Sequence, residues 1–159
     1  MRTLHIFDMD GALCDSSHRY RTIPGENRID LNYWRANEHH AWRDQPLPLA
    51  DEYRRLMDDA SALCVIATAR IGDSITRKWI DFHLGGHNGF IARKDENDTR
   101  GGAQLKLAGL KRFFNLRQFQ EFKNKPERIT VYEDNAAYLK TLCDTLGCRG
   151  VYIPSNQGH

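Results

Sequence analysis

Five short apolar runs recur along the chain, separated by stretches with helical periodicity. A run of four to eight apolar residues fits a buried strand, whereas apolar residues three and four apart fit one face of a helix. Because parallel strands need long crossover connections, this alternation favours a parallel sheet with helices on both faces. We therefore expect an α/β fold, a doubly wound, Rossmann-like parallel sheet of about five strands. The runs are TLHIF (3–7), ALCVIA (62–67), GFIA (89–92), ITVY (129–132) and GVYI (150–153).

Helices are predicted between these strands from apolar spacing and from residues that commonly end helices. Asp30 is an expected N-cap, and Gly147 is an expected C-terminal stop. A short helical continuation to about Lys123 is expected after the fourth helix. The predicted helical stretches are 30–42, 48–60, 73–84, 102–114 and 135–147.

The length of 159 residues, 40% of them hydrophobic, suits one sizeable core. We expect a single domain, 1–159, with a small cap or insert at about 14–48, where the pattern is least regular. The first motif begins too early for a signal peptide, and the longest apolar stretch, 62–69, is too short to span a membrane. The four cysteines show no zinc spacing. A cytoplasmic protein with reduced thiols is the expectation.

Polar residues follow three of the predicted strands. Asp8 and Asp10 follow the first, Thr68 follows the second, and Asp134 follows the fourth. Lys106 falls near the start of the helix after the third strand. Ligands of such sheets bind beyond the carboxyl ends of the strands, where the strand order reverses. These groups are therefore expected to converge on one crevice.

Gathered carboxylates repel one another, and a hard divalent cation with oxygen ligands is the ordinary remedy. Magnesium held by Asp8 and Asp134 leaves room for a phosphoryl group, whose other oxygens Thr68 and Lys106 can hold. The turn at Gly11 allows Asp8 and Asp10 to face different ways. One carboxylate can then attack phosphorus, while the other moves protons to and from oxygen. The sequence predicts a phosphate site with Mg²⁺ as cofactor.

The stretch FDMDGALCD resembles the first motif of the haloacid dehalogenase-like (HAD) phosphohydrolases. VIATAR, Lys106 and VYEDN are similar to that superfamily's second, third and fourth motifs, in the same order. The resemblance implies the HAD fold, with Asp8 as nucleophile and Asp10 as acid and base. It also implies that Asp8, the Asp10 carbonyl and Asp134 hold Mg²⁺, while Thr68 and Lys106 bind the phosphoryl group.

A closer resemblance links DSSHRY, TARIGDSITRKWI and DTRGGAQLK to the 3′-phosphatase domain of phage-type polynucleotide kinase and its stand-alone bacterial and phage relatives. It implies further substrate contacts from Arg70, Arg77 and Arg100. No kinase motif of the form GxxxxGK[ST] occurs. The sequence departs from the family pattern at Ala12, Ala69 and Glu133, which stand where Thr, Gly and Asp are usual.

The middle of the chain is basic, with 13 Lys and Arg against 7 Asp and Glu in residues 70–128. Little chain is available for a large cap, so an open site is expected, and it suits the 3′ end of a nucleic acid or a nucleotide. The leading hypothesis is a phosphomonoesterase that removes a 3′-phosphate. A 5′(3′)-nucleotidase acting on free nucleotides is the alternative, and a receiver-like phosphoacceptor domain is the alternative from another class. No membrane contact and no obligate protein partner are predicted.

Overall fold

The computed structural model describes residues 1–155. Its strands are β1 (Thr3–Phe7), β2 (Cys14–Asp15), β3 (Gln45–Pro46), β4 (Ala62–Ile71), β5 (Gly89–Arg93), β6 (Ile129–Glu133) and β7 (Arg149–Tyr152). Its α-helices are α1 (Leu31–Ala36), α2 (Leu49–Met57), α3 (Ser74–Leu84), α4 (Gly102–Phe113) and α5 (Ala136–Leu146). Within these residues, no helix is long and apolar enough to cross a lipid bilayer.

Five of the strands form one parallel sheet in the order β5-β4-β1-β6-β7. The strand β1 is central, and the chain moves outward from it in one direction through β4 and β5, then in the other through β6 and β7. The order therefore reverses next to β1, where a doubly wound sheet forms its ligand crevice. The predicted α/β fold with a five-stranded parallel sheet is confirmed.

Apolar side chains cover both faces of the sheet. Leu4 and Ile6 of β1 belong to the cluster that contains Leu110 of α4 and Leu142 of α5. Phe7 belongs to the other cluster, with residues of α2 and α3. Because successive strand residues point to opposite faces, β1 is buried from both sides, which explains its nearly continuous apolar sequence.

Three elements differ from the sequence-based expectations. The strand β4 runs on to Ile71, so Thr68 lies inside the strand rather than after it. The helix expected over 30–42 is interrupted at Asn37, whose side-chain amide donates to the Tyr33 carbonyl and caps α1 there. A short 3₁₀ helix, Glu38–Arg43, follows it. The continuation expected after α4 is a turn and a separate 3₁₀ helix, Gln120–Asn124.

The segment between β1 and α2 is tied down by a pairing that the sequence pattern did not reveal. The strands β2 and β3 form an antiparallel pair, with Cys14 opposite Pro46 and Asp15 opposite Gln45. The pair brings the two ends of the intervening chain together, so residues 16–44, which include α1, form a compact insert. The role of this insert as a cap stays a prediction.

Candidate active site

The chain turns sharply after β1. The backbone N–H groups of residues 12–14 all donate to the Met9 carbonyl, at 2.9–3.2 Å. Gly11 has a φ of 81° there, and a Cβ atom at this position would lie 2.3 Å from Asp134 Oδ2. Only glycine combines this backbone conformation with such a close approach. The turn buries Asp8 and Asp10 on either side of Met9, at the carboxyl end of the central strand.

Lys106 of α4 lies between two carboxylates. Its Nζ atom donates to Asp8 Oδ1 at 2.9 Å and to Glu133 Oε1 at 2.8 Å, and the side chain is almost fully buried. Burial alone would lower the pKa of Lys106, but the charges of Asp8 and Glu133 outweigh this effect and raise it above its usual range. The lysine is therefore a fixed positive charge beside Asp8.

Glu133 is the residue that departs from the usual aspartate. Its longer side chain reaches Lys106 through Oε1, while Oε2 accepts a hydrogen bond from the Asp134 backbone N–H at 3.1 Å. The Asp134 carboxylate accepts one from Ser155 Oγ at 2.7 Å. Glu133 thus joins the lysine to the loop that carries Asp134.

The carboxylates of Asp8, Glu133 and Asp134 form one buried group, with one oxygen from each within 4.8 Å of the others. Burial and the nearby charge of Asp8 raise the pKa of Glu133 to about 10 and that of Asp134 to about 9. Like charges so close in a buried place are costly without a cation, and hard carboxylate oxygens are the ligands Mg²⁺ prefers. The donor set therefore fits a magnesium ion. The side chain of Asp10 lies outside this group.

Asp10 belongs to a second charged group, centred on Arg70. Arg70 donates from Nε to Asp10 Oδ2 at 2.9 Å and from Nη2 to Asp10 Oδ1 at 2.6 Å. Its Nη2 also contacts Asp44, a fully buried carboxylate that Arg19 holds with two hydrogen bonds of 3.0 and 2.9 Å. The indole N–H of Trp79 donates to the Asp44 carbonyl at 2.8 Å. Asp44 of the insert is therefore a counter-ion of Arg70, the arginine that binds the Asp10 carboxylate.

The remaining predicted site residues are placed as follows. Thr68 is buried in β4, and its hydroxyl accepts a hydrogen bond from the Arg70 backbone N–H at 3.1 Å. Arg77 is exposed on α3 and stacks on Phe90. The guanidinium group of Arg100 donates two hydrogen bonds to Asp98, at 2.9 and 2.8 Å. In the part of the chain that the structure describes, Arg77 and Arg100 do not line the cleft described next, and their contact with substrate stays a prediction.

A cleft of about 160 Å³ opens onto Asp8, Asp10 and Lys106. One part of its wall comes from the insert and is largely apolar, with Trp34 as its largest side chain. Another part comes from the ends of β4 and β5 and from α4 and α5. The remaining lining residues are Ile29, Leu31, Arg35, Ala69, Arg70, Arg93, Gly101, Gly102 and Tyr138.

Three residues that line this cleft were not predicted from the sequence, Arg35, Arg93 and Tyr138. Asp44, the buried partner of Arg70, was not predicted either. Arg93 carried a usable signal, because it directly follows the predicted strand GFIA, as Asp8 follows TLHIF. Asp44 carried none, since its position depends on how the irregular insert folds back.

Several solved structures with a similar fold are described as hydrolases of the haloacid dehalogenase type. A haloacid dehalogenase-like family hydrolase from Streptococcus pneumoniae is 12% identical, with a TM-score of 0.65 over 98% of this chain and 88% of its own. A HAD-superfamily hydrolase from Geobacter sulfurreducens is 10% identical, with a TM-score of 0.61 over 99% of this chain and 91% of its own. A structure of the Pnkp1/Rnl/Hen1 RNA repair complex is 13% identical, with a TM-score of 0.60 over 97% of this chain and 43% of its own. The fold is therefore the HAD fold.

No curated protein matches the chain in sequence. Residues 1–100, which include β1 to β5 and the whole insert, match the sequence model of a family described as bacteriophage T5 5′-deoxynucleotidase. The match contains Asp8, Asp10 and Arg70, together with Asp44 of the insert. By this match the chain belongs to the bacteriophage T5 5′-deoxynucleotidase family.

Proposed function

We propose that the protein is a Mg²⁺-dependent phosphomonoesterase that removes the 5′-phosphate of a deoxynucleoside monophosphate. The observation that carries the proposal is the contact between Lys106 Nζ and Asp8 Oδ1, 2.9 Å apart and buried at the carboxyl end of the central strand. A carboxylate beside a fixed ammonium group is suited to attack phosphorus, because the lysine offsets the charge of the incoming phosphate. The family match supports the choice of a 5′-deoxynucleotide.

In the first step, an Asp8 oxygen forms a bond to phosphorus, and the bond from phosphorus to the 5′ oxygen of the nucleoside breaks. Asp10 donates its proton to that leaving oxygen, so a neutral nucleoside departs and an aspartyl phosphate remains. In the second step, a water molecule attacks this phosphorus and gives a proton to Asp10. Phosphate leaves, and both carboxyl groups return to their starting states.

The other residues hold these two carboxyl groups in place. Asp8, Glu133 and Asp134 would hold Mg²⁺, which when bound offsets the negative charge on the phosphoryl oxygens. The hydrogen bonds from Arg70 fix the direction of the Asp10 carboxyl group, and Asp44 holds Arg70. Positioning of this kind matters because proton transfer requires hydrogen-bond distance to the leaving oxygen.

A free nucleotide fits this cleft better than a polynucleotide end does. The insert contributes Ile29, Leu31 and Trp34 to the wall, which narrows the space beside Asp8 and Asp10. Of the three arginines expected to make further substrate contacts, Arg70 lines the cleft, whereas Arg77 and Arg100 do not in the described residues. These observations support the nucleotidase over the 3′-phosphatase that the sequence favoured.

The test measures phosphate release from deoxynucleoside 5′-monophosphates and from a 3′-phosphorylated oligonucleotide, each with Mg²⁺ or with EDTA. We expect release from deoxynucleoside 5′-monophosphates with Mg²⁺ only, and none from the Asp8→Asn variant. Asn is close to Asp in size, so circular dichroism of this variant should match the parent and serves as the folding control. Release from a 3′-phosphorylated oligonucleotide but not from 5′-mononucleotides would replace this substrate assignment. Release that is unaffected by EDTA or by Asp8→Asn would overturn the mechanism.

A further inference from the structure

Arg93, the last residue of β5, lines the cleft that holds Asp8 and Lys106. Backbone carbonyls hold its guanidinium group in place. Nε donates to the Ala69 carbonyl at 2.9 Å, and Nη1 donates to the carbonyls of Asp98 and Arg100, at 2.5 and 2.7 Å. The side chain is only 10% exposed. The arginine is therefore a positioned, mostly buried cation at the proposed site.

This cation is poorly compensated by negative charge. The nearest carboxylate in the described residues, Asp98, lies 4.0 Å from Nη1, and both its oxygens accept hydrogen bonds from Arg100. Burial lowers the pKa of Arg93, the Asp98 charge opposes that effect, and the positive charge of Arg35 lowers the pKa further. A buried guanidinium held mainly by carbonyl dipoles is costly to maintain unless an anion joins it.

The guanidinium also retains hydrogen-bonding capacity. Its bonds to described residues use Nε and Nη1, which leaves both N–H groups of Nη2 available. Arg35, on α1 of the insert, lines the same cleft, and its side chain makes one hydrogen bond to the described residues, from Nη1 to Glu38 Oε1. Two arginines from different parts of the fold thus present N–H groups to one cleft.

The balance of charges at the site indicates that the substrate phosphate needs cations besides the metal ion and Lys106. At the proposed metal site, the three carboxylates of Asp8, Glu133 and Asp134 stand against one cation, Lys106. A divalent metal ion would offset this difference, so an arriving phosphate dianion would bring two further negative charges. We propose that Arg93, assisted by Arg35, binds the phosphate dianion of the substrate through its Nη2 atom. This inference rests on the proposed phosphatase function, and it adds a binding residue that the matched motifs do not contain.

Inorganic phosphate, the reaction product, is the probe for this site. Its affinity is measured by calorimetry with Mg²⁺ present, alongside KM and kcat for a deoxynucleoside 5′-monophosphate. We expect Arg93→Gln to weaken phosphate binding by about ten- to a hundredfold, the range for a charged hydrogen bond, and to raise KM more than it lowers kcat. Arg35→Gln should weaken binding less, because Glu38 already offsets its charge. Arg112→Gln, an exposed position on α4, is the matched control and should change nothing.

Arg93→Lys separates charge from structure, because lysine keeps the positive charge but cannot make all three carbonyl hydrogen bonds. We expect its phosphate affinity to lie well above that of Arg93→Gln, while the melting temperatures of both variants fall alike. If Arg93→Lys and Arg93→Gln lose phosphate affinity to the same extent, as they lose melting temperature, the inference is overturned. An unchanged phosphate affinity in Arg93→Gln would also overturn it. A parent protein that neither binds phosphate nor releases it from nucleotides would overturn the proposed function itself.

Discussion

Arg70 donates three hydrogen bonds to Asp10, two from Nε at 2.9 and 3.0 Å and one from Nη2 at 2.6 Å. Both side chains are almost fully buried, and the residues lie 60 positions apart in sequence. Charged hydrogen bonds in such a place are strong and directional. The carboxyl group assigned to proton transfer is therefore held in one orientation by β4.

Loss of the Asp10 carboxyl group should affect substrates according to their leaving group. A nucleoside alkoxide needs a proton, whereas p-nitrophenolate leaves without one. We expect Asp10→Asn to lower kcat about 10²- to 10⁴-fold on a 5′-deoxynucleotide and much less on p-nitrophenyl phosphate. Steady-state kinetics on both substrates tests this expectation, with Asp8→Asn, which should lose both activities, as the control. An equal loss on both substrates in Asp10→Asn would contradict the proton-transfer role.

The lifetime of the phosphoenzyme separates a hydrolase from a receiver-like domain. If Asp10 activates water, the parent protein should hydrolyse the aspartyl phosphate on Asp8 quickly, and the Asp10→Asn variant should retain it. Acid quenching during turnover of p-nitrophenyl phosphate, followed by intact-protein mass spectrometry, measures the phosphorylated fraction. A parent protein that keeps its phosphate after substrate is exhausted would favour the receiver-like alternative.

Asp44 should matter for stability far more than an exposed aspartate does. Asp44→Asn leaves Arg19 and Arg70 buried with less negative charge beside them, at an expected cost of about 3–5 kcal/mol in the free energy of unfolding. Asp51→Asn breaks an ion pair with Arg54 in which the aspartate is 82% exposed, and should cost about 0.5 kcal/mol or less. Urea denaturation of both variants gives the comparison. Equal costs would show that the buried network contributes little.

The sequence was informative where one rule of sheet geometry applied. Asp8 and Asp134 were expected together because each stands at the carboxyl end of a parallel strand, and Lys106 was expected with them because it lies near the start of the helix after the third predicted strand. The structure places Lys106 and Asp134 beside Asp8. Arg93 obeys the same rule but belongs to no recognised motif. The rule therefore identifies the edge of the sheet where the site lies, but it does not tell which of the residues at that edge belong to the site.

The insert could not be predicted in the same way. Outside the helix predicted over 30–42, residues 16–44 have no regular period, and their fold depends on one short strand pair and on the charges of Arg19 and Asp44. Arg70 was expected to bind substrate because the resemblance to the 3′-phosphatase domain implied that contact. Its observed partners, Asp10 and Asp44, come from distant parts of the chain, and no local pattern predicts a contact of that kind.

Gly11 should be much less replaceable than Gly25, although both have a positive φ, 81° and 78°. A Cβ atom at Gly11 would lie 2.3 Å from Asp134 Oδ2, whereas nothing lies within 4 Å of one at Gly25. Both Gly→Ala variants carry the backbone penalty, of about 1 kcal/mol. Only Gly11→Ala should also displace Asp134 and weaken Mg²⁺ binding. Thermal denaturation and Mg²⁺ titration of the two variants measure these effects, and matching Mg²⁺ affinities would contradict the close approach.

Magnesium binding should release protons and strengthen as the pH rises. The pKa of Asp134 is raised to about 9 and that of Glu133 to about 10, mainly by burial, so near neutral pH the metal-free carboxyls hold protons that the ion must displace. The folded state therefore binds more protons than the unfolded state, and metal-free stability falls as the pH rises from the unfolded pKa, about 4, towards 9.

Added Mg²⁺ should accordingly raise the melting temperature more at higher pH. Calorimetry in buffers of different ionisation enthalpy counts the protons released per ion bound. We expect fewer in Asp134→Asn, which retains the Asp8 and Glu133 carboxylates but lacks one of the titrating groups. Proton release that is absent in the parent, or that is undiminished in Asp134→Asn, would show that Mg²⁺ is not held by this carboxylate group.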